Sequence, residues 1–244
     1  MSSISETGHA KNVDNLGNLI AGIATYGAKY NPANPLIVAT ALKAKEASAR
    51  ASIDTLNTAA IRYANASNKR ESAFMPLNSL VTRALNVLRS SASADNTDAT
   101  VASIARKITS TRSAAKKEAT ATAADVKVAT ISTSQRSFDS LTDNFDRFVE
   151  ALANIAEYKP NEEELKVEAL KAFAAELRSC NNECNAASFA LDSARDARNA
   201  ELYTPNTGLV DVALSAKTYV KALFGVNSTE YKRIASIEFR NKKL

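Results

Sequence analysis

The sequence predicts an all-α fold, an elongated antiparallel helical bundle built from an internal duplication. Three observations lead there. Apolar residues recur at spacings of three and four over long stretches, the period of one helix face. Only six glycines and five prolines interrupt 244 residues, and abundant alanine with few aromatics favours helix over irregular structure. Finally, the segment from Tyr30 to Phe74 occurs twice. Laid on itself at one constant offset, the chain places Tyr30 on Tyr158, Pro32 on Pro160, Leu42 on Leu170, Lys43 on Lys171, Arg50 on Arg178, Asn57 on Asn185 and Arg70 on Arg198.

Residues 1–12 are polar and are expected to be a disordered N-terminus. From Asp14 the residues Leu16, Leu19, Ile20 and Ile23 form a helical stripe, which Asn12 or Asp14 can cap. Tyr30-Asn31-Pro32 ends it, because a residue before proline avoids helical angles. Asn34-Pro35 reads as an N-cap with proline at the first helical position. The helix it opens is expected to reach Phe74. Its inward face is Ala39, Leu42, Glu46, Ala49, Ile53, Leu56, Ala60, Tyr63, Ser67, Arg70 and Phe74, a coiled-coil-like seam of period 3.5. At 1.5 Å per residue, a helix of about forty residues is about 60 Å long.

Met75-Pro76 breaks this rod. A third helix follows with Leu77, Leu80, Val81, Ala84, Leu85 and Leu88 inward. A polar loop, Ser90 to Thr97, precedes a fourth helix from about Asp98 to about Thr130, whose inner face carries Val101, Ile104, Ala105 and Ile108. The second copy begins near Phe138, with Phe145, Phe148, Val149 and Leu152 repeating the first stripe. Pro160-Asn161 followed by three glutamates predicts a second long helix, with acids at its positive end, running to about Leu202. Leu209-Val210 and Ala213-Leu214 echo Leu80-Val81 and Ala84-Leu85, with the offset grown by a single position. The following helix ends at Gly225, and Ser228 opens a short last one. Residues 13–130 and 131–244 thus form two repeat units, expected to make one continuous bundle with a pseudo-twofold axis. Repeats this long are not solenoid modules.

The pattern Tyr30-Asn31-Pro32, a long Ala-rich helix, Arg70-Glu71-Ser72-Ala73-Phe74-Met75-Pro76-Leu77, Arg106-Lys107-Ile108, Asn206-Thr207-Gly208-Leu209-Val210 and Lys217-Thr218-Tyr219-Val220-Lys221 resembles an uncharacterised family of bacterial all-helical proteins. The resemblance spans nearly the whole chain. No activity is attached to that family, so it implies a bacterial helical protein and adds nothing on chemistry.

Enzymatic chemistry finds little support. The only histidine, His9, falls in the segment expected to be disordered, which leaves a folded core without Ser-His-Asp, Cys-His or Glu-x-x-His sites. No phosphate loop, dinucleotide fingerprint or nucleophile elbow occurs. Glu162, Glu163, Glu164 and Glu168 are the densest acids, read as dipole-stabilising rather than catalytic. Cys180 and Cys184 are too few for a structural zinc site and suit a reducing compartment. No catalytic, cofactor-binding or metal residues are assigned, and no cofactor is expected. The N-terminus lacks a secretory pattern and no run is long enough to span a membrane, so a cytoplasmic location is expected, with signal-less export left open.

Arg70 and Arg198 occupy equivalent places in the two copies, and Arg70 lies on the seam. A guanidinium there needs a partner. An ion pair with Asp14, Asp143 or Asp211 is the structural reading; a symmetric pair of anion-binding arginines is the functional one. A basic tract, Arg106, Lys107, Arg112, Lys116 and Lys117, has no acid within it. A second basic segment, 232–243, closes the chain. With a net charge of +5, the tracts suit nucleic acid or an anionic lipid surface through salt-sensitive phosphate contacts. The leading functional expectation is a non-enzymatic structural or protein-interaction bundle that self-associates or binds another helical protein. The alternative is a polyanion binder through segments 106–117 and 232–243. A membrane-active toxin would require a long apolar hairpin that the sequence lacks.

Overall fold

A computed structural model describes residues 4–91, 95–109 and 137–241 of the chain. These residues form eight α-helices and three short 3-10 turns, with no β-strand among them. The helices are α1 (Ile4–Ala24), α2 (Ala39–Phe74), α3 (Leu77–Ser90), α4 (Asp95–Thr109), α5 (Phe138–Ala153), α6 (Val167–Tyr203), α7 (Leu209–Phe224) and α8 (Thr229–Ala235). The fold is all-α. The expected continuation of α4 from residue 110 to about 130 lies outside the described residues.

Several ends follow the local chemistry. Pro76 separates α2 from α3. The side chain of Ser137 caps α5 by accepting from the amide of Ser140 at 3.1 Å, and Ser228 caps α8 by accepting from Tyr231 at 3.1 Å. Gly225 closes α7 with φ at 87°, a left-handed angle open to glycine. Its amide donates to the carbonyl of Lys221 at 2.9 Å.

Several expectations are corrected. The Asn34-Pro35 and Glu162–Glu164 segments do not start the long helices. They form 3-10 turns, Pro35–Ile37 and Glu163–Leu165, and the extended residues Val38 and Lys166 then reset the chain. The long helices therefore measure 36 and 37 residues. Residues 4–12 are helical rather than disordered, since α1 starts at Ile4; residues 1–3 lie outside the described ones. His9, only 3% exposed, belongs to the folded protein. Its Nδ1 lies 2.6 Å from the hydroxyl of Tyr203, and Asn12 exchanges hydrogen bonds with the backbone of Arg240. Buried polar residues here bond to distant parts of the chain. On α2, Ala39 and Ala60 are exposed, and Ala59 and Ala66 are buried instead.

Some buried positions on the two long helices lie seven residues apart. Leu42, Ala49 and Leu56 are buried on α2, and Leu170, Leu177, Cys184, Leu191 and Arg198 on α6.

The chain forms two compact units. The first contains Met1–Ala64 and Ala187–Leu244, and the second residues 65–186. Each therefore draws residues from both halves of the chain. The first unit holds α1, α7, α8, the start of α2 and the end of α6. Its core is built on Leu16, Leu19, Ile23, Leu42, Leu202, Leu209 and Val220. Gly22 matters to this packing: a Cβ there would stand 2.8 Å from Cγ2 of Ile234 on α8. The second unit holds α3, α4, α5, the end of α2 and the start of α6, around Phe145, Phe148, Leu77, Leu88, Ile108 and Leu170. Fully burying each such side chain is worth about 1.5–3 kcal/mol.

Candidate functional site

In the first unit a groove of about 640 Å³ lies between the turn at Asn34–Ile37 and α7. The turn is fixed from two sides. The Asn34 side chain accepts from the amide of Leu36 at 2.9 Å. Tyr30 donates its hydroxyl to the carbonyl of Ile37 at 2.6 Å, and its ring meets Tyr219 of α7 edge-on with centroids 5.3 Å apart. Ile37 is buried by this arrangement and Leu36 is turned outward, 43% exposed. Facing it on α7 is Leu214, 44% exposed, with Thr218 and Tyr219 along the same wall. Asp211 closes one end, its Oδ2 accepting from the amide of Asn206 at 2.8 Å. That bond helps hold Asn206 at φ 66°, an angle an asparagine tolerates better than most residues.

Burial pushes the Tyr30 hydroxyl up to about 12, with the neighbouring Tyr219 adding to the shift. The same cause raises Tyr158 to about 12, with Glu162 contributing. Lys217, on α7, is pushed down by burial. Its Nζ donates to the carbonyls of Ala235 at 3.1 Å and Ile237 at 2.6 Å. That lysine anchors the chain after α8.

The site residues expected from sequence are scattered. Arg198 is buried, 3% exposed, and its Nε and Nη2 donate to Oδ1 of Asn199. Arg70 is half-buried, with its guanidinium carbon 4.1 Å from the centroid of the Phe138 ring. Its buried Nε has no hydrogen-bond partner among the described residues. The carboxylate partner expected for Arg70 is thus replaced by an aromatic face, which attracts a cation through its quadrupole. The acids proposed for that role are engaged elsewhere: Asp14 with Arg50 at 3.3 Å, Asp143 near Arg178 at 3.8 Å, and Asp211 with Asn206.

Arg106 and Lys107 are exposed on the last turn of α4. Arg112, Lys116 and Lys117 lie outside the described residues. In the second segment Lys232, Arg233 and Arg240 are exposed, and Lys242 and Lys243 again lie outside the described residues. Cys180 and Cys184 are buried free thiols. No cluster of three His, Cys, Asp or Glu suited to a metal exists among the described residues, and none of the described helices is long and apolar enough to cross a membrane.

No protein family's sequence model matches the chain, and no curated protein or solved structure matches it significantly. The groove's residues are individually ordinary in sequence. Leu36 and Leu214 lie in opposite halves of the chain, and only the Asn-Pro signal at 34–35 marks the turn that pairs them.

Proposed function

We propose that the protein is a non-enzymatic helical interaction module whose docking face is the groove between the 34–37 turn and α7. The observation that carries this reading is the pair of exposed leucines, Leu36 and Leu214, lining one cavity. An amphipathic helix of another protein fits such a groove: its apolar side chains cover the leucines, and a basic side chain reaches Asp211. The test is a photo-crosslinking residue at position 214 in the host cell, combined with the mass of the intact complex. One defined adduct that disappears in Leu36→Glu supports the reading. An adduct insensitive to that substitution, or none at all, overturns it. A mass of twice the chain identifies self-association instead of a different helical partner.

The same proposal includes the internal duplication, the elongated antiparallel bundle and the kinship with bacterial helical proteins. Two equivalent features support the duplication. Tyr30 donates to the carbonyl of Ile37, and its repeat counterpart Tyr158 donates to that of Leu165 at 2.8 Å. Each bond secures a 3-10 turn ahead of a long helix. Small-angle scattering tests the shape, since a bundle that is not elongated gives a compact profile.

The polyanion reading rests on the exposed Arg106, Lys107, Lys232 and Arg233. It requires nucleic-acid retention that falls steeply with salt and is lost when segment 106–117 is neutralised.

A further inference from the structure

The chain after α8 is held by its backbone. Residues 237–241 are not helical. Asn12 of α1 donates through Nδ2 to the carbonyl of Arg240 at 2.8 Å and accepts from the amide of Arg240 at 3.0 Å. Asn15, also on α1, donates to the carbonyl of Glu238 at 2.7 Å. From α7, Lys217 donates to the carbonyls of Ala235 at 3.1 Å and Ile237 at 2.6 Å. Side chains along this strap alternate. Ile237 and Phe239 pack against the core of the first unit, and Glu238 and Arg240 are exposed, the period of an extended chain.

These are the parts of a peptide-binding groove. Main-chain hydrogen bonds give affinity for an extended segment, and places for alternate side chains give preference. A strap that served packing alone would need only its apolar residues. Asn12 is 2% exposed, and burying an amide is favourable only against groups that meet its donor and its acceptor. The backbone of Arg240 meets both. The second unit shows the contrast. With Asn15-Leu16 laid on Asn144-Phe145, Asn12 falls on Leu141. There α5 packs on α4, a helix whose interior backbone groups are already bonded to one another.

We propose that α1 and α7 form a binding groove for an extended peptide with apolar residues at alternate positions, and that residues 236–241 occupy it as a displaceable strap. The occupant in trans is a segment of a different protein. A second copy's tail would make the same contacts without the advantage of a tether, so it does not displace the strap below about millimolar concentration. A foreign segment can gain what the strap leaves unused. Ile237 and Phe239 are only partly buried, so apolar side chains that fill the same places more completely bind better. The groove uses Asn12, Asn15 and Lys217 and neither leucine of the docking face proposed above, so each reading stands without the other.

Fluorescence anisotropy of a labelled peptide with the sequence of residues 235–241 tests this on the full chain. Phe239→Asp is expected to loosen the strap, and the peptide then binds saturably and about tenfold or more tighter than to the parent, whose own strap competes. Adding Asn12→Leu is expected to weaken the peptide by about tenfold. A peptide with aspartate at both apolar positions is expected not to bind. Where Phe239→Asp unfolds by circular dichroism, hydrogen exchange in the parent decides. The amide of Arg240 is then expected to exchange at least about tenfold faster than amides inside α1 and α7, through local opening. The proposal is overturned if folded Phe239→Asp binds the peptide no better than the parent, if Asn12→Leu leaves that binding unchanged, or if Arg240 exchanges only with global unfolding. Binding of the aspartate peptide overturns the apolar pattern. A parent dimer that Phe239→Asp abolishes assigns the groove to a second copy's tail and overturns the choice of a different protein.

Discussion

In the turn before α2, Tyr30 donates to the carbonyl of Ile37 and Leu36 stands in solvent beside α7. In the turn before α6, Tyr158 donates to Leu165, and Glu164, at the position matching Leu36, reaches Arg83 of α3 in an ion pair. The buried rivet is the same, and the outward residue differs. One turn borders an open groove with two exposed leucines and the other is spanned by charge. A second pair differs in the opposite sense: Asn15 is satisfied by the backbone of Glu238, and Asn144 faces a polar cavity. Across the two units, similar burial sets the scaffold, and the candidate site lies where matched positions differ.

The largest effect that probes this comparison comes from the cores. Phe145→Ala should cost about 3–5 kcal/mol and its counterpart Leu16→Ala about 2–5 kcal/mol, both side chains being fully buried. Native-state hydrogen exchange should speed up first in α4 and α5 for the former and in α1 and α7 for the latter. Exchange that rises uniformly in both variants would merge the two units into one.

Alkaline pH is next. Tyr30 and Tyr158 are held near 12 in the folded chain against an ordinary value of 10.0. Burial favours the neutral phenol, so this stabilisation is complete below pH 10 and is lost as pH rises through about 12. A shift of this size corresponds to at most roughly 2–3 kcal/mol for each tyrosine, an upper bound that solvent screening lowers. Spectrophotometric titration should show the other tyrosines ionising ahead of these two, with unfolding accompanying the late pair. Both ionising with the others would remove the equivalence of the turns.

Removing either hydroxyl is milder. Tyr30→Phe and Tyr158→Phe each leave a buried carbonyl unpaired and should each cost about 1–3 kcal/mol in equilibrium denaturation. Unequal losses would show that the turns only look alike.

The smallest effect concerns the outward residues. Glu164→Leu removes an ion pair whose side chains are about half exposed, so stability should change by about 0.2–1 kcal/mol. Binding of a hydrophobic dye should rise, because the second turn would then resemble the first.

Much of the scaffold is legible in sequence. Pro76, Gly225 and Ser228 mark ends by local rules, and the structure uses them. Asn34-Pro35 misleads as an α-helix start because a cap followed by proline suits a 3-10 turn equally well. Only the extended Val38 distinguishes the two. The phase of α2 slips at Ala60 because neighbouring alanines carry the same hydrophobic weight, leaving periodicity little to hold. His9 escapes sequence reasoning because its burial depends on Tyr203, 194 residues away, and no local pattern encodes that. Arg70 on the apolar face correctly signals a need for a partner, but sequence offers carboxylates and the structure supplies Phe138. Asn144 stands out in sequence only as a match to Asn15.

The central claim is that each unit is assembled from both halves of the chain, and long-range contacts between aromatic side chains in solution test it most directly. Nuclear Overhauser effects are expected between Tyr26 and Phe224, whose ring centroids lie 5.1 Å apart in the first unit, and between Phe74 and Phe138, 4.8 Å apart in the second. Both pairs join residues from opposite halves. If neither effect is seen and the aromatic residues of each half contact only their own half, the units are the sequence repeats themselves and the account is wrong.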